Sequence, residues 1–173
     1  MARQSKSTVE NQEKPILADD FIEVVSLTPF KLNLSTEPNG RGRVVKFEKF
    51  GDVKRISYAD LVRIIDSNQK FLESGYFYIM DERVIKKHAL SYAYDSILTK
   101  EKLQQVFDLK DTAVSLYQSA SDVQKQFIHQ IISEKLIRGE NIDLNVVSKI
   151  EKISGINLIQ SANEARESKS ESQ

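Results

Sequence analysis

Hydrophobic residues change their spacing along this chain near Tyr58. Between Phe21 and Ile56 they alternate in short runs that prolines and glycines interrupt. From Tyr58 to about Ile159 they recur mostly at helical spacing. A period of two residues suits strands and a period of 3.6 suits helices. The pattern therefore predicts an α+β fold, with a small N-terminal antiparallel β unit packed on a C-terminal unit of several helices and disordered polar tails.

The composition divides the chain into four expected segments. Residues 1–19 are rich in Ser, Gln, Lys and Glu, and residues 161–173 have the same character. Segments of this kind bury too little apolar surface to offset the entropy lost on ordering, so both are expected to be disordered tails. Between them we expect a β-rich unit with one helix over residues 20–80 and a helical unit over residues 81–160.

Turn residues set the expected limits of the strands. Pro29 lies inside the apolar run of residues 21–34, which indicates an edge strand, a bulge or a break between two strands. Asn39 and Gly40 favour a turn with positive φ at both central residues. Further strands are expected at residues 43–50, 53–57 and 76–80. The last of these could pair with the N-terminal unit.

Capping residues predict where the helices begin and end. Ser57 followed by Asp60 resembles a capping box, and Ser121 followed by Gln124 repeats the pattern. Further N-caps are expected at Asp81, Thr99 and Asp143, and helix ends at Gly75, Gly139 and Gly155. The clearest helix spans residues 122–138, and its broad apolar face comprises Val123, Phe127, Ile128, Ile131, Ile132 and Leu136.

The charge and the composition exclude several classes of protein. Lys plus Arg number 25 and Asp plus Glu number 25, so no net charge attracts the whole chain to nucleic acid or to an anionic membrane. The absence of cysteine excludes disulfides, thiolate metal sites and cysteine nucleophiles. No apolar run approaches the roughly 18 residues of a membrane helix, and residues 1–14 lack the apolar core of a secretory signal. We expect a protein of the cytoplasm, or of a particle assembled there, with no membrane partner.

Catalytic and metal-binding motifs are missing from the sequence. It contains none of the phosphate-binding, dinucleotide-binding, zinc-protease or serine-hydrolase signatures. The two histidines, His88 and His129, have no further ligand at metal-binding spacing. Acidic residues lie near the ends of expected elements, and the helix dipole favours negative charge at a helix N-terminus. The sequence therefore predicts no catalytic residue, no cofactor and no metal, and it favours a protein that is not an enzyme.

A nucleic-acid-binding regulator is the alternative that the basic residues leave open. Six of them fall in the hairpin region: Arg41, Arg43, Lys46, Lys49, Lys54 and Arg55. Phe47, Phe50 and Tyr58 are interleaved with them, and exposed rings beside cations can bind a nucleic-acid strand. Strand alternation instead favours burial of the rings, with the lysines in solvent at a sheet edge.

Residues 147–166 offer a second route to the same alternative. They resemble a helix-turn-helix segment with Gly155 in the turn. Glu151 departs from that pattern, because a small residue normally stands four positions before the turn glycine, where the two helices pack closely. A glutamate there has to be buried or to splay the helices, and the following helix is not notably basic. DNA reading is therefore not favoured.

A protein partner, including a second copy of the chain, is the preferred interpretation. Tyrosines concentrate in residues 76–80 and 91–97, and tyrosine is enriched at protein interfaces because it combines a large ring with a polar tip. Packing of these rings in the core is the alternative. The apolar run of residues 21–34, next to a polar tail, could add an edge strand to a partner's sheet. The expected contact residues are Phe21, Val25, Leu27, Phe30, Leu32, Tyr76 and Tyr78.

The order of several segments resembles small structural or accessory proteins of large tailed bacteriophages that infect Gram-positive hosts. The segments are VVSLTPFKLNL, YADLVRII, SGYFYIMD, YDSILTKE, SASDVQKQFI and GENIDLNVV, within about residues 22–160. The resemblance implies a non-enzymatic protein that attaches to the phage particle through its β unit or its tails. It assigns no site residue, and the partners that it implies are other virion proteins.

Overall fold

The structure is a computed structural model that describes residues 14–170. Within that range the strands are β1 Phe21–Ser26, β2 Leu32–Ser35, β3 Val44–Phe47, β4 Val53–Ser57 and β5 Phe77–Ile79. The α-helices are α1 Tyr58–Ser67, α2 Gln69–Ser74, α3 Glu82–Lys87, α4 Ser91–Tyr94, α5 Lys100–Phe107, α6 Ala113–Ser119, α7 Asp122–Arg138, α8 Leu144–Ser154 and α9 Leu158–Ser170. The predicted order, a small antiparallel β unit followed by a region of several helices, is confirmed.

Two antiparallel sheets form the β unit. The three-stranded sheet has the order β4-β1-β5, so β1 is its central strand. In its register Val25 of β1 lies between Val53 of β4 and Tyr78 of β5. The second sheet pairs β2 with β3. The strand predicted at residues 76–80 is confirmed as β5, and its pairing with β1 ties α1 and α2 to the sheet.

The apolar run around Pro29 is two strands separated by a break, one of the three forms that the sequence left open. In the break the Thr28 hydroxyl donates to the carbonyl of Phe30, with 2.7 Å between the oxygens. The following turn contains Asn39 at φ 62° and Gly40 at φ 74°. The predicted positive φ at both residues is therefore confirmed, and it lets the chain reverse from β2 into β3.

The central strand β1 separates two hydrophobic cores. Ile22 and Val24 belong to the first core, which also receives side chains of the second sheet, α1 and α2. Val25 and the following Leu27 belong to the second core, which lies among α5, α6, α7 and α8. Successive side chains of a strand point to opposite faces. A single strand thereby contributes to both cores and joins the two units.

Side-chain caps begin most of the predicted helices where the sequence placed them. The Ser57 hydroxyl accepts from the Asp60 N–H at 3.3 Å, and the Asp143 carboxylate accepts from the Asn145 N–H at 2.8 Å. Thr99 stands at the N-cap of α5, but its side chain makes no capping hydrogen bond. The single helix predicted within residues 20–80 is wrong, because the structure has α1 and α2 there.

Asn68 stands at that interruption. Its side-chain amide donates to the carbonyl of Ile64 in the last turn of α1 at 3.0 Å and to the carbonyl of Ser35 in β2 at 2.9 Å. Its backbone N–H donates to the same Ile64 carbonyl at 2.9 Å. The side-chain amide therefore fastens the end of α1 to the second sheet.

Gln124 joins α7 to the segment before α5 at a fully buried position. Its Oε1 accepts from the N–H of Leu98 at 2.8 Å, and its Nε2 donates to the carbonyl of the same residue at 2.9 Å. Ser121 accepts from the Gln124 N–H, as predicted, while its own hydroxyl donates to the carbonyl of Ser74 at 2.9 Å. Gly75 lies so close that a Cβ there would stand 2.7 Å from Nε2 of Gln124. In a capping box the Gln124 side chain would bind the backbone N–H of Ser121. Here it binds the backbone of Leu98 instead.

The tail predicted from Ser161 onward is wrong as far as residue 170. Helix α9 continues through Ser170 and packs on α7, with Ala162 only 2% exposed. Glu151 of α8 supports its start, because the carboxylate accepts from the N–H of Ile159 at 2.8 Å. Such a bond satisfies a helix N-terminus, where the N–H groups have no partner within the helix. Residues 171–173 lie outside the described range.

The N-terminal tail prediction is also wrong for residues 14–19. The carbonyl of Ala18 accepts from the N–H of Ala59 at 2.9 Å, and the side chain of Ile16 packs against the first core. Leu17 and Asp20 close a turn between these contacts. Residues 1–13, the remainder of the predicted tail, lie outside the described range.

Candidate functional site

The face of the β4-β1-β5 sheet that points away from the first core is covered over only part of its area. We call this the outer face, and its side chains are Phe21, Glu23, Val25, Val53, Arg55, Tyr78 and Met80. The helical unit buries Val25. Phe21 remains 61% exposed, Val53 41% and Met80 52%. The outer face therefore presents three partly exposed apolar side chains, of which Phe21 and Met80 line one cavity and Val53 and Met80 line another.

Two adjoining cavities occupy the outer face. The wider one, about 460 Å³, is lined by Phe21, Ile22, Glu23, Arg55, Met80, Asp81 and Glu82. The narrower one, about 200 Å³, is lined by Val25, Val53, Tyr78, Met80, Thr99, Lys100 and Glu101. Met80 belongs to both linings, so its side chain stands between the cavities. The first turn of α5 forms one wall of the narrower cavity. Val25 and Val53 of the sheet form its floor.

Charged groups around the outer face are mostly acidic. The Arg55 guanidinium lies over the Phe21 ring, 5.3 Å from its centroid. Arg83 donates to the Asp81 carboxylate, which holds the pKa of Asp81 below its usual value. Glu23, Glu82 and Glu101 are exposed. The carboxylates of Glu23, Asp81, Glu82 and Glu101 thus outnumber the cations of Arg55 and Lys100.

Tyr78 lines the narrower cavity, and a second tyrosine ring packs against it. Burial raises its pKa first, and the charges of Glu101 and Glu82 raise it further. Its ring packs on Tyr94 with 4.4 Å between the centroids. The Tyr94 hydroxyl in turn accepts from the N–H of Ile79 at 3.0 Å. This hydrogen bond occupies an N–H at the outer edge of β5 and fixes the ring that supports Tyr78.

The structure divides the expected contact residues among three places. Phe21, Val25 and Tyr78 lie on the outer face, whereas Leu27 and Leu32 are buried in the cores. Phe30 and Tyr76 pack edge-to-face on Phe127 of α7, at centroid distances of 5.5 and 5.3 Å. The expectation that residues 21–34 provide an unpaired docking edge is wrong for β1, which pairs with β4 on one side and β5 on the other, whereas β2 pairs only with β3 among the described strands.

Sequence reasoning missed Val53 and Met80. Both were assigned to strands, but their exposure depends on which strand lies next to β1 and in which register. Once Val25 is known to lie beside Val53, alternation places Val53 on the same face. The signal was therefore present in the apolar alternation, but it could not be used without the strand order.

The basic hairpin region does not bring its cations and rings to one surface. Arg43 forms an ion pair with Asp60 at 2.7 Å, and Lys54 forms one with Asp52 at 3.4 Å. Arg41, Lys46 and Lys49 are exposed. Of the interleaved rings, Phe47 and Tyr58 are buried, and Phe50 packs edge-to-face on Phe107 at 4.9 Å. Burial of the rings, the second of the two sequence alternatives, is confirmed for Phe47 and Tyr58.

Helices α8 and α9 present an acidic surface where a helix-turn-helix protein needs a cationic one. Glu151, Gln160, Asn163, Glu164 and Glu167 line an open cleft beside the turn, together with Asn157 and Ile159. Glu151 is partly exposed and its carboxylate caps α9, so burial, the first of the two expectations for this position, is wrong. Phosphates would meet repulsion on this face.

Each histidine is bound to a tyrosine hydroxyl. His88 Nε2 lies 2.9 Å from the hydroxyl of Tyr58, and His129 Nε2 lies 2.8 Å from the hydroxyl of Tyr117. Burial lowers the pKa of both histidines, and the charge of Lys87 lowers that of His88 further. Among residues 14–170 no three His, Asp or Glu side chains converge as metal ligands would.

Comparisons with known proteins add no relative. No protein-family model, curated protein or solved structure matches the chain. None of the helices in residues 14–170 combines the length and the apolar character needed to cross a membrane. The function is therefore inferred from the side chains of the outer face.

Proposed function

We propose that the protein is a non-enzymatic binding or assembly protein that contacts another protein through its outer face. The observation that carries the proposal is the grouping of Phe21, Val53 and Met80, all partly exposed, around two adjoining cavities on one ordered sheet. Exposed apolar groups that lie together, with polar groups around them, mark contact sites more often than scattered ones do.

The energetics favour a protein as the partner. Covering apolar surface stabilises a complex by about 25 cal/mol for each Å² removed from water. Val53 lies on a strand and Met80 directly follows one, so little backbone freedom has to be lost there on binding. Asp81, Glu82 and Glu101 line the cavities from outside the strands, as polar groups do around protein interfaces, while Glu23 lies on the central strand.

The similarity of residues 22–160 to accessory proteins of tailed bacteriophages supports a more specific proposal. The partner would then be another virion protein, and the complex would form in the host cytoplasm and remain in the assembled particle. In that setting the outer face would be covered permanently after assembly, which suits a surface that leaves Phe21 and Met80 in water beforehand.

Paired substitutions test the proposal. Met80→Gln with Val53→Gln removes apolar character from the outer face, while Leu144→Gln with Ile153→Gln does so on α8 at matched exposures of 50% and 44%. Tagged full-length proteins are purified under mild conditions from the native source, and the proteins that accompany them are identified. We expect the first variant to lose a partner that the wild type and the second variant retain. Retention of the same partners by all three would refute the proposal.

A further inference from the structure

We propose that the outer face takes an extended protein segment in which an aliphatic residue and a lysine or arginine stand two positions apart. This inference rests on the protein-binding role proposed above and names the chemistry of the partner. The aliphatic side chain enters the narrower cavity, and the cationic side chain enters the wider one.

The narrower cavity is suited to an aliphatic side chain. Val25 and Val53 form its floor, and the side chains of Tyr78 and Met80 stand beside them. Its volume of about 200 Å³ admits one or two aliphatic side chains, since a water molecule in the liquid takes about 30 Å³. Polar groups enter from the first turn of α5, where Thr99 to Glu101 form the wall, and from the hydroxyl of Tyr78.

The wider cavity is suited to a cation. Glu23, Asp81 and Glu82 line it against a single cation, Arg55, whose guanidinium already lies over the Phe21 ring. Asp81 is paired with Arg83, whereas Glu23 and Glu82 form no ion pair among residues 14–170. A lysine or arginine placed there would have carboxylates on more than one side, and its aliphatic stem could cover Met80 and Phe21.

The adjoining position of the two cavities suits an extended segment. They adjoin across the side chain of Met80 and open on the same face of the sheet. In an extended chain every second side chain points to the same side, about 7 Å from the last. Residues two positions apart can therefore enter neighbouring cavities, while the residue between them points to solvent.

The electrostatics of Tyr78 support the same choice of partner. Two separate carboxylates, Glu101 and Glu82, raise the pKa of its hydroxyl beyond the effect of burial. Both carboxylates therefore act on the space inside the narrower cavity and at its border with the wider one. The negative charges of Glu101 and Glu82 disfavour the ionised form of Tyr78. The same charges would attract a cation brought close to Met80.

The chain supplies its own reporter for a test. It has two methionines, Met1 and Met80, so a protein labelled with ¹³C at the methionine methyl groups gives two signals. The Met80→Gln variant assigns them, and Met1 serves as the internal reference. Blocked pentapeptides Ser-Leu-Ser-Lys-Ser and Ser-Lys-Ser-Leu-Ser are titrated against the full-length protein, together with the forms that carry Glu in place of Lys.

We expect a Leu–Lys peptide to shift the Met80 signal in a saturable manner and to bind about threefold or more tightly than its Glu counterpart, a ratio within the range of exposed ion pairs. Glu23→Gln with Glu82→Gln should abolish that preference. Asp95→Asn with Asp111→Asn, which changes net charge equally at exposed positions elsewhere, should preserve it.

Three results would overturn the inference. One is equal binding of the Lys and Glu peptides, and another is the absence of any Met80 shift. The third is a Met80 shift that follows protein concentration without peptide, which would identify a second copy as the occupant. None of these decides the broader proposal, because the purification experiment with Met80→Gln and Val53→Gln tests protein binding without assuming the charge of the partner.

Discussion

The two faces of the β4-β1-β5 sheet are made by the same strands but are covered to different extents. On the inner face Ile22, Val24 and Ile79 are almost fully buried in the first core. On the outer face only the end near Val25 is covered by the helical unit, and Phe21, Val53 and Met80 remain partly exposed. Both faces carry large apolar side chains, so hydrophobicity alone does not distinguish them. The difference shows that the inner face is buried in the core, whereas the outer face leaves apolar side chains partly in water.

Neighbouring residues of β1 give the largest test of this comparison. Ile22→Ala removes a side chain that is 2% exposed, and the lost burial and the resulting cavity should lower the free energy of unfolding by about 2–5 kcal/mol. Phe21→Ala should change it by no more than about 0.5 kcal/mol, because the ring is mostly in water and contacts mainly Arg55. Urea unfolding followed by circular dichroism measures both. Similar losses in the two variants would mean that the outer face is already sealed, contrary to our interpretation.

Gln124 provides the next test, because it holds the part of the structure that covers the outer face. Its amide binds Leu98, and residues 99–101 directly after it wall the narrower cavity. Gln124→Leu leaves the N–H and the carbonyl of Leu98 without these partners in a buried place, at a cost of about 1–3 kcal/mol for each group. Thermal and urea unfolding should show this loss.

The matched control is Gln126→Leu, the same substitution two residues along α7 at an exposed position. It should leave stability nearly unchanged. The Met80 methyl signal gives a second measurement, since movement of residues 99–101 alters the cavity that Met80 lines. If Gln126→Leu lowers stability as much as Gln124→Leu, the loss comes from the leucine and not from the missing hydrogen bonds.

Much of the fold could be predicted from local sequence, and the contacts between distant segments could not. The caps at Ser57 and Asp143 depend on neighbours within three residues, so the pattern sufficed. Asn68 was read as part of a continuous helix because its second partner, Ser35, lies 33 residues away. The part of α9 from Ser161 onward was taken for a tail for the same reason, because a polar segment becomes ordered when Ala162 and its neighbours pack on α7.

The candidate site follows the same rule. Phe21, Val25 and Tyr78 were expected in a contact surface from their residue types, and the structure places them on one face. The expected docking edge was wrong because the sequence does not state that β1 is central. Val53 and Met80 complete the face only through strand order and register, which are set by long-range pairing and not by the residues of either strand alone.

The smallest expected change in the free energy of unfolding comes from protonation of the two histidines that bind tyrosine hydroxyls. One tyrosine–histidine pair lies at each core. Tyr58 belongs to the first core and Tyr117 to the second, and burial lowers the pKa of the bound His88 and His129. A histidine with a lowered native pKa binds a proton less readily when folded than when unfolded. The stability that it contributes is therefore complete above its ordinary pKa of about 6.5, and it is lost as the pH falls from there through the native pKa.

We expect the free energy of unfolding to be lower at pH 5.5 than at pH 7.5, by less than the losses at Ile22 or Gln124. Asp52 and Asp81 do not account for this change, because the pKa of each is lowered and they titrate at more acidic pH. His88→Gln and His129→Gln should each flatten part of the pH dependence, since glutamine keeps a polar group for the tyrosine hydroxyl without titrating. His88 is also near Lys87 and Asp66, so its share should vary with salt more than that of His129. A pH dependence that survives both substitutions would assign the effect to other groups and remove the histidine pairs from the comparison of the two cores.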